Sequence, residues 1–466
     1  MSTQFNFSGQ TISTNSQPIS RRRFLQSSAL ASVAAPFILE SSLRAASPNG
    51  KLNHACIGVH GMGGADLGNF LEHPKVQIVA LCDVDSNNLN KAAKRVPGAR
   101  LYSDWRELLA KEGNKIDSVN VAVPDHSHFP IAYSAIQAGK NVYCQKPLCH
   151  DVAEVRALTE ASIKKKVFSQ LGTQVASTSG DRTMVQLIKS GAVGKIKHAY
   201  LCSNRPGAIQ TYRLVGPRPA QGQPPPAYLN WDLWIGNAPM RPYSPDIYHP
   251  TKWRAWQDFG TGWSGDIGCH IFDAVWKGLG LKAPLSVVAE VQESWQNSPA
   301  RRADTWPQGD HITWTFPGNN LTEGELTLEW FDGEMYPPKE IRALYSGEYP
   351  AESSMLIGTE GALLLPHGGN PVLLPQEKFK NYPVPKIAGR NHYHHFIDAC
   401  LGGEKNESYF AQTGPMTETI LLGTVAIRVP GEKLAWDFAK MKFPHHKEAE
   451  AFLRRHYRDG WKVGKV

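Results

Sequence analysis

From residue 54 to residue 172 the chain repeats one alternation, a short unbroken apolar run followed by a stretch of helical periodicity, and that repeat leaves few folds open. Runs at 54–59, 76–83, 118–124, 141–146 and 167–172 predict strands. Helical periods through Phe70, from Asn87, over 131–137 and over 152–165 fall between them. A sheet with one wet face would alternate apolar and polar residues, so continuous apolar runs predict strands covered on both faces. Strand–helix repeats of this kind build an α/β domain around a doubly wound parallel sheet of the Rossmann type, expected over residues 47–172.

Ligands of such sheets collect outside the carboxyl ends of the strands. Four segments lie there: Gly58-Val59-His60-Gly61-Met62-Gly63-Gly64, Asp83, Pro124-Asp125-His126 and Gln145-Lys146-Pro147. Glycines let the backbone approach a pyrophosphate just before a helix whose N-terminus favours an anion, which makes Gly58, Gly61, Met62 and Gly63 candidate cofactor residues. Asp83 ends the second strand 20 residues beyond Gly63, where a carboxylate can accept from both ribose hydroxyls. The same charge repels the extra phosphate of NADP, so NAD is the expected cofactor. Two registers are open. With Gly58 and Gly63 as first and third glycines, His60 takes the middle place; starting at Gly61 puts Asp66 third.

The chain has 466 residues, enough for two domains with separate cores. Its formal charge of +8 is mild, and beyond residue 46 there remain 46 basic against 41 acidic residues. The densest basic run, Lys164-Lys165-Lys166, falls where a helix ends and cations favour its dipole. No clustered basic surface of a nucleic-acid binder is expected. The seven cysteines show no paired spacing, which argues against a disulfide framework. Asp125, His126 and His128, and later His392, His394 and His395, are ligand types in suggestive spacing, but no metal is expected at either place.

The first 46 residues have a different character. Ser20-Arg21-Arg22-Arg23-Phe24-Leu25-Gln26 precedes an apolar stretch over 29–39 and small residues around Ala45-Ala46, the order of a signal peptide. Tandem arginines before Phe-Leu resemble the twin-arginine signal, so the expected partner is the twin-arginine export machinery and the expected location the periplasm. The stretch is too short for a membrane span.

Five segments together carry a family resemblance: Ile57-Gly58-Val59 with its glycine turn, Ala80-Leu81-Cys82-Asp83, Val123-Pro124-Asp125-His126-Ser127-His128, Gly139 to Pro147, and Gly265-Asp266-Ile267-Gly268-Cys269-His270. The chain resembles the Gfo/Idh/MocA oxidoreductases from about Lys51 to Asp398. The resemblance implies that Pro124, Asp125 and His128 line the cofactor crevice and that Lys146 lies beside the nicotinamide, polarising the reacting oxygen. It matches Asp266 and His270, four apart and on one face if helical, to the rest of the catalytic set. His270 suits a base, since imidazole ordinarily titrates near 6.5, and Asp266 would bind a neighbouring hydroxyl or orient the pair. The chain departs from the family's Glu-Lys-Pro at Gln145, an exchange expected to deprive the Lys146 ammonium of a carboxylate neighbour.

The second domain is expected over 173–445 as an α+β unit. A helix over 182–190 and a strand over 197–202 lead to a Pro-rich stretch, 216–226, and then to Trp231, Trp234, Trp253, Trp256 and Trp263. With His249 and Arg254 among them, these rings either stack on sugar C–H faces as a substrate wall or pin a long loop to the core. Strands predicted at 285–292, 311–315, 325–330 and 341–345 make a mostly antiparallel open sheet. By the resemblance, that sheet's outer face makes homo-oligomer contacts and a helix from His392 returns to the first domain. Residues 446–466 form a tail without a predicted place.

The expected activity is NAD-dependent oxidation of a secondary alcohol of a sugar or cyclitol, with a tightly held cofactor because an exported enzyme meets little free nicotinamide. Lyase or glycoside-cleaving chemistry without net redox, and carbohydrate binding without catalysis, are the alternatives.

Overall fold

The first six strands of the computed structural model are β1 (Leu52–Ile57), β2 (Val76–Cys82), β3 (Arg100–Tyr102), β4 (Ser118–Val121), β5 (Asn141–Cys144) and β6 (Ser169–Leu171). They form one sheet in the order β3-β2-β1-β4-β5-β6 with every pairing parallel. This is the dinucleotide-fold order, with its switch point between β1 and β4. The edge strand β3 lacks an apolar run and had no signal in the sequence. The structure describes residues 50–205 and 218–464, so the signal-like segment and the start of the Pro-rich stretch lie outside the described residues.

Local chemistry explains where the helices begin. α1 (Met62–Leu71), α2 (Ser86–Arg95), α3 (Trp105–Glu112), α4 (His128–Gln137) and α5 (Val152–Lys165) follow the strands. Asp85, Asp104 and Asp151 cap α2, α3 and α5, each carboxylate accepting from first-turn N–H groups. Such a cap contributes about 1 kcal/mol relative to alanine.

The second sheet joins β7 (Ile196–Ser203), β8 (Ser286–Val291), β9 (Asp310–Phe316), β10 (Thr322–Asp332), β11 (Glu352–Gly358), β12 (Ala362–Pro366), β13 (Val372–Leu374) and β14 (Leu434–Ala435). Its order is β13-β12-β11-β7-β10-β9-β8-β14, antiparallel except for β7 beside β10. The strand expected at 341–345 is absent. Pro337-Pro338 instead starts a helical turn over Lys339–Arg342, with the Ile341 N–H donating to the Pro338 carbonyl at 3.0 Å. The sheet continues through β11, β12 and β13.

Helices α6 (Ser179–Lys189), α7 (Trp231–Ile235) and α8 (Gly262–Leu279) precede β8, and α9 (His392–Cys400) and α10 (Phe410–Arg428) follow β13. As expected, α9 returns to the first domain. Tyr393, Phe396 and Ile397 join Phe70 and Tyr143 in one buried cluster, and His394 Nε2 lies 3.3 Å from the Asn69 carbonyl of α1. α10 is buried almost all round, as a helix apolar on every side must be. Trp314 Nε1 of β9 donates to its Thr419 carbonyl at 2.9 Å, and Arg156 of α5 pairs with its Glu418 at 2.6 Å. One apolar cluster therefore runs from the parallel sheet into the antiparallel one.

The tail is a strap across both domains. Tyr457 hydrogen-bonds Glu154, Arg458 pairs with Asp232 at 2.5 Å, and Trp461 receives the Arg106 guanidinium 4.2 Å from its ring centre.

Candidate active site

The glycine turn settles its own register. Gly58 has φ +81°, and a Cβ there would lie 2.1 Å from the Ala122 carbonyl oxygen. A Cβ on Gly63 would lie 2.2 Å from the Gly58 oxygen. These are the first and third positions, the tight turn and the close strand–helix contact, and His60 stands exposed in the middle one. Gly61, at φ +55°, precedes α1 without any side-chain cap, leaving the first-turn N–H groups to an anion.

Asp83 is built into the turn. Its Oδ2 accepts from the Val59 N–H at 3.0 Å and its Oδ1 from the Asp85 N–H at 2.9 Å. Burial raises its pKa above the ordinary value. Together with Gly58, Gly61, Met62, Gly63, Pro124, Asp125 and Lys146 it lines a crevice of about 300 Å³. The opposite wall comes from the second domain and includes Trp234, His249, Trp253 and Arg254. His249 Nε2 lies 3.3 Å from Asp85 Oδ2, tying that wall to the cap of α2.

His128 is not part of the crevice wall. It is buried with Nδ1 2.7 Å from the Pro147 carbonyl and Nε2 2.8 Å from that of Val123, so it clasps the turn after β4 to the turn bearing Lys146. His126 faces the Trp234 carbonyl at 3.2 Å. Burial lowers His126 to about 3 and His128 to about 4. The later histidines have separate partners: His392 reaches Ser177 and the Leu171 carbonyl, His394 the Asn69 carbonyl and His395 the Arg390 guanidinium.

Of the three residues matched as catalytic, Lys146 lines the crevice and meets Asp266, while His270 lies one turn further along α8 and neither it nor Asp266 is a crevice wall residue. Lys146 Nζ donates to Asp266 Oδ1 at 2.8 Å and to the Asp266 carbonyl at 3.0 Å. The amide at Gln145 therefore does not leave this ammonium without a carboxylate, because Asp266 of α8 supplies one. Burial pushes Asp266 up, but the charges of Lys146 and Arg254 outweigh it and hold the carboxyl below its ordinary value. Arg254 Nε lies 3.7 Å from the same oxygen, and its guanidinium stacks 4.2 Å over Trp253. One helical turn on, burial and the Lys146 charge hold His270 well below its usual range, as a neutral imidazole whose Nδ1 makes no hydrogen bond.

Two participants had not been placed in this role. Asp125 accepts from Thr261 Oγ1 at 3.0 Å, and burial together with the Asp266 charge pushes its carboxyl up to about 7. Asp66 of α1 receives Gln145 Nε2 on both oxygens, at 2.9 and 3.0 Å, and Asn120 Nδ2 at 3.2 Å. Burial pushes Asp66 up to about 6. The signal for it was an acid on the helical face otherwise occupied by Gly63, Leu67 and Phe70, all buried.

Most of the insert's indoles pin the loop. Trp231 stacks on Trp234 at 4.7 Å, while Trp256 Nε1 donates to the Ile247 carbonyl and Trp263 Nε1 to that of Ser203. Of the five, Trp234 and Trp253 reach the crevice.

Two family models match the chain: "oxidoreductase family, NAD-binding Rossmann fold" over residues 52–173 and "oxidoreductase family, C-terminal alpha/beta domain" over residues 179–337. Levoglucosan dehydrogenase of Pseudarthrobacter phenanthrenivorans is 25% identical over 206 residues, covering 44% of this chain and 42% of that protein. Inositol 2-dehydrogenase of Rubrobacter xylanophilus is 28% identical over 140 residues, covering 30% of this chain and 40% of that protein. The matches thus span less than half the length of either relative. The crystal structure of the WlbA dehydrogenase from Bordetella pertussis, in complex with NADH and UDP-GlcNAcA, superposes with a TM-score of 0.57 at 15% identity, covering 83% of this chain and 99% of that one. The fold is shared.

Proposed function

The chain belongs to the Gfo/Idh/MocA oxidoreductase family and carries its NAD-binding Rossmann domain, and from that premise we propose that it is an NAD-dependent oxidoreductase acting on a secondary alcohol of a sugar or cyclitol. One observation carries the reading. Lys146 from the nucleotide-binding domain meets Asp266 from the second domain at 2.8 Å, at the crevice walled by the glycine turn. The names of the two relatives, levoglucosan dehydrogenase and inositol 2-dehydrogenase, support the substrate class.

The residues fit the cofactor. Gly58 and Gly63 stand where a Cβ would collide with backbone, the uncapped start of α1 suits the pyrophosphate, and Asp83 suits the ribose. NAD, when bound, supplies the hydride acceptor. An ammonium has three donors, and Asp266 takes two of those of Lys146, leaving the third for the substrate oxygen. His270, held neutral, accepts the hydroxyl proton. Asp266 fixes Lys146 and accepts from a neighbouring hydroxyl. Trp253 offers a ring face to the sugar, with Arg254 and His249 as polar neighbours.

The twin-arginine motif at Ser20–Gln26 supports export of the folded protein to the periplasm with its cofactor already loaded and tightly held. The outer face of the β7–β14 sheet is the proposed homo-oligomer contact. Denaturing the purified protein and assaying the supernatant for NAD tests the loaded state. About one NAD per chain is expected, and absence of both released and titratable NAD overturns the proposal. Cell fractionation of an Arg21→Lys/Arg22→Lys double variant tests the route, with loss of the exported pool expected and unchanged export contradicting it.

A further inference from the structure

A second cavity, of about 270 Å³, lies between the start of α5, the end of α10 and the C-terminal strap, and shares no wall residue with the cofactor crevice. Its wall carries Arg428, Arg455 and His150, together with Asp151 and Asp258.

The two carboxylates are largely committed elsewhere. Asp258 is bonded by Arg241 and approached by Arg218 at 3.9 Å. Asp151 caps α5, its Oδ1 accepting from the Glu154 N–H at 2.9 Å. Burial pushes its carboxyl up to about 6, and the Arg455 charge and backbone oppose that rise.

The cations are not so committed. Arg428 lies 5.0 Å over Trp306 and 4.8 Å over Phe452, and burial lowers it to about 10 against the more distant charges of Asp258 and Asp151. Arg455 gives Nη2 to the Asp258 carbonyl at 3.2 Å, while its Nη1 is buried without an acceptor. His150 is 8% exposed and lies against the Gln257 backbone, and burial with the Arg455 and Arg428 charges holds its imidazole well below the usual value, as a neutral ring. A buried donor without an acceptor is costly, and a guanidinium resting on aromatic faces is held ready to present its fork.

We propose that this cavity binds a small oxyanion, a phosphate or carboxylate group gripped by Arg428 and Arg455 with His150 as the third contact. Its volume is several times that of one such group, so the anion can be free or the charged end of a small metabolite. Planar or tetrahedral oxygen arrays match two guanidinium forks. The start of α5 adds a favourable dipole at the same wall, its Ala153 and Glu154 N–H groups being taken by the Leu453 carbonyl and by Asp151.

The test is calorimetric titration of the full chain with inorganic phosphate and, separately, with malonate, at an ionic strength held constant with chloride. Saturable binding to a single site is expected for at least one of them, with a dissociation constant on the order of 1 mM. Arg428→Met, which keeps the packing on Trp306, should weaken it at least about tenfold, and Arg455→Met likewise. An NAD titration of each variant reports that the fold and the separate crevice are intact. If neither anion shows saturable heat up to about 20 mM, or if NAD-competent variants bind as well as the parent, the site does not exist. Phosphate alone or malonate alone identifies which oxyanion the cavity prefers.

Discussion

The two walls of the cofactor crevice are made of different things. Along β1 and β2 the wall is main chain: Gly58 and Gly63 are in contact with backbone atoms, and even the carboxylate of Asp83 is occupied by the N–H groups of Val59 and Asp85. Around Lys146 and Arg254 the wall is charge, backed by Asp266 of α8. Lys146, Asp266 and Arg254 hold one another across the domain boundary, and Asp125 sits beside them with its carboxyl pushed up by burial and by Asp266. A backbone wall is intolerant of added volume and indifferent to charge. A wall of charges is the reverse, because an isosteric neutral side chain keeps the shape and removes the function.

Substitutions can break that contrast. The largest effect expected is at Lys146→Met, which keeps most of the side chain's unbranched length but leaves Asp266 without its ammonium. Turnover should fall by roughly 10²–10³-fold or more, with NAD affinity changed far less. Steady-state rates beside an NAD titration decide this, and equal losses in both would erase the distinction between the walls. On the backbone side, Gly63→Ala places a Cβ 2.2 Å from the Gly58 oxygen. Its cost should be about 1–3 kcal/mol, seen as a lower midpoint in denaturant unfolding together with loss of NAD binding.

An effect of similar size, without the loss of NAD binding, sharpens the comparison at Gln145, where the two kinds of wall meet. Gln145→Glu would set a second carboxylate against the buried Asp66, destabilising the protein by about 1–3 kcal/mol. Asp66→Asn in the same chain should restore most of that stability. A double-mutant cycle in denaturant measures it, and additive losses would show that the pair acts only through packing.

The smallest effect is a pH slope away from the crevice, at the buried pair Asp310 and Asp332. Burial and mutual repulsion raise Asp310 well above its ordinary value, and burial raises Asp332 to about 7. A carboxyl raised on folding keeps more protons in the native state, so its stabilising contribution is complete below the unfolded value and is lost as pH rises through the folded one. These two groups should therefore lower the unfolding midpoint progressively from about pH 4 to above pH 7. Asp310→Asn should flatten that slope, and an unchanged slope would assign it to other groups.

The contrast between the walls also explains what could be read in advance. A backbone wall leaves a local trace: apolar runs, helical periods, a glycine turn and an acid at the right distance gave β1, β2, β4, β5, β6 and the cofactor edge. β3 escaped because an edge strand of three largely exposed residues has no apolar run. The charge wall depends on contacts between distant residues. The spacing of Asp266 and His270 was visible, but the bond from Lys146 to Asp266 spans 120 positions and answers a question that Gln145 had raised the other way. His128 showed the same limit, since only the fold reveals that both its nitrogens are occupied by carbonyls. In the second sheet, Pro337-Pro338 turned a short alternating run into a helical turn, and β11 to β13 went unseen in a region read for only one strand.

The proposed activity rests on hydride transfer between NAD and a sugar-type alcohol, and one assay addresses it directly. The purified full chain, supplied with NAD, is offered a panel of aldoses, anhydrosugars, uronic acids and cyclitols while absorbance at 340 nm and substrate mass are followed together, beside Lys146→Met. The account predicts that at least one polyol loses two hydrogens as reduced cofactor appears in equal amount, and that the variant shows neither change. Consumption of a sugar without the loss of two hydrogens, or a Lys146→Met protein that oxidises it as fast as the parent, would contradict it.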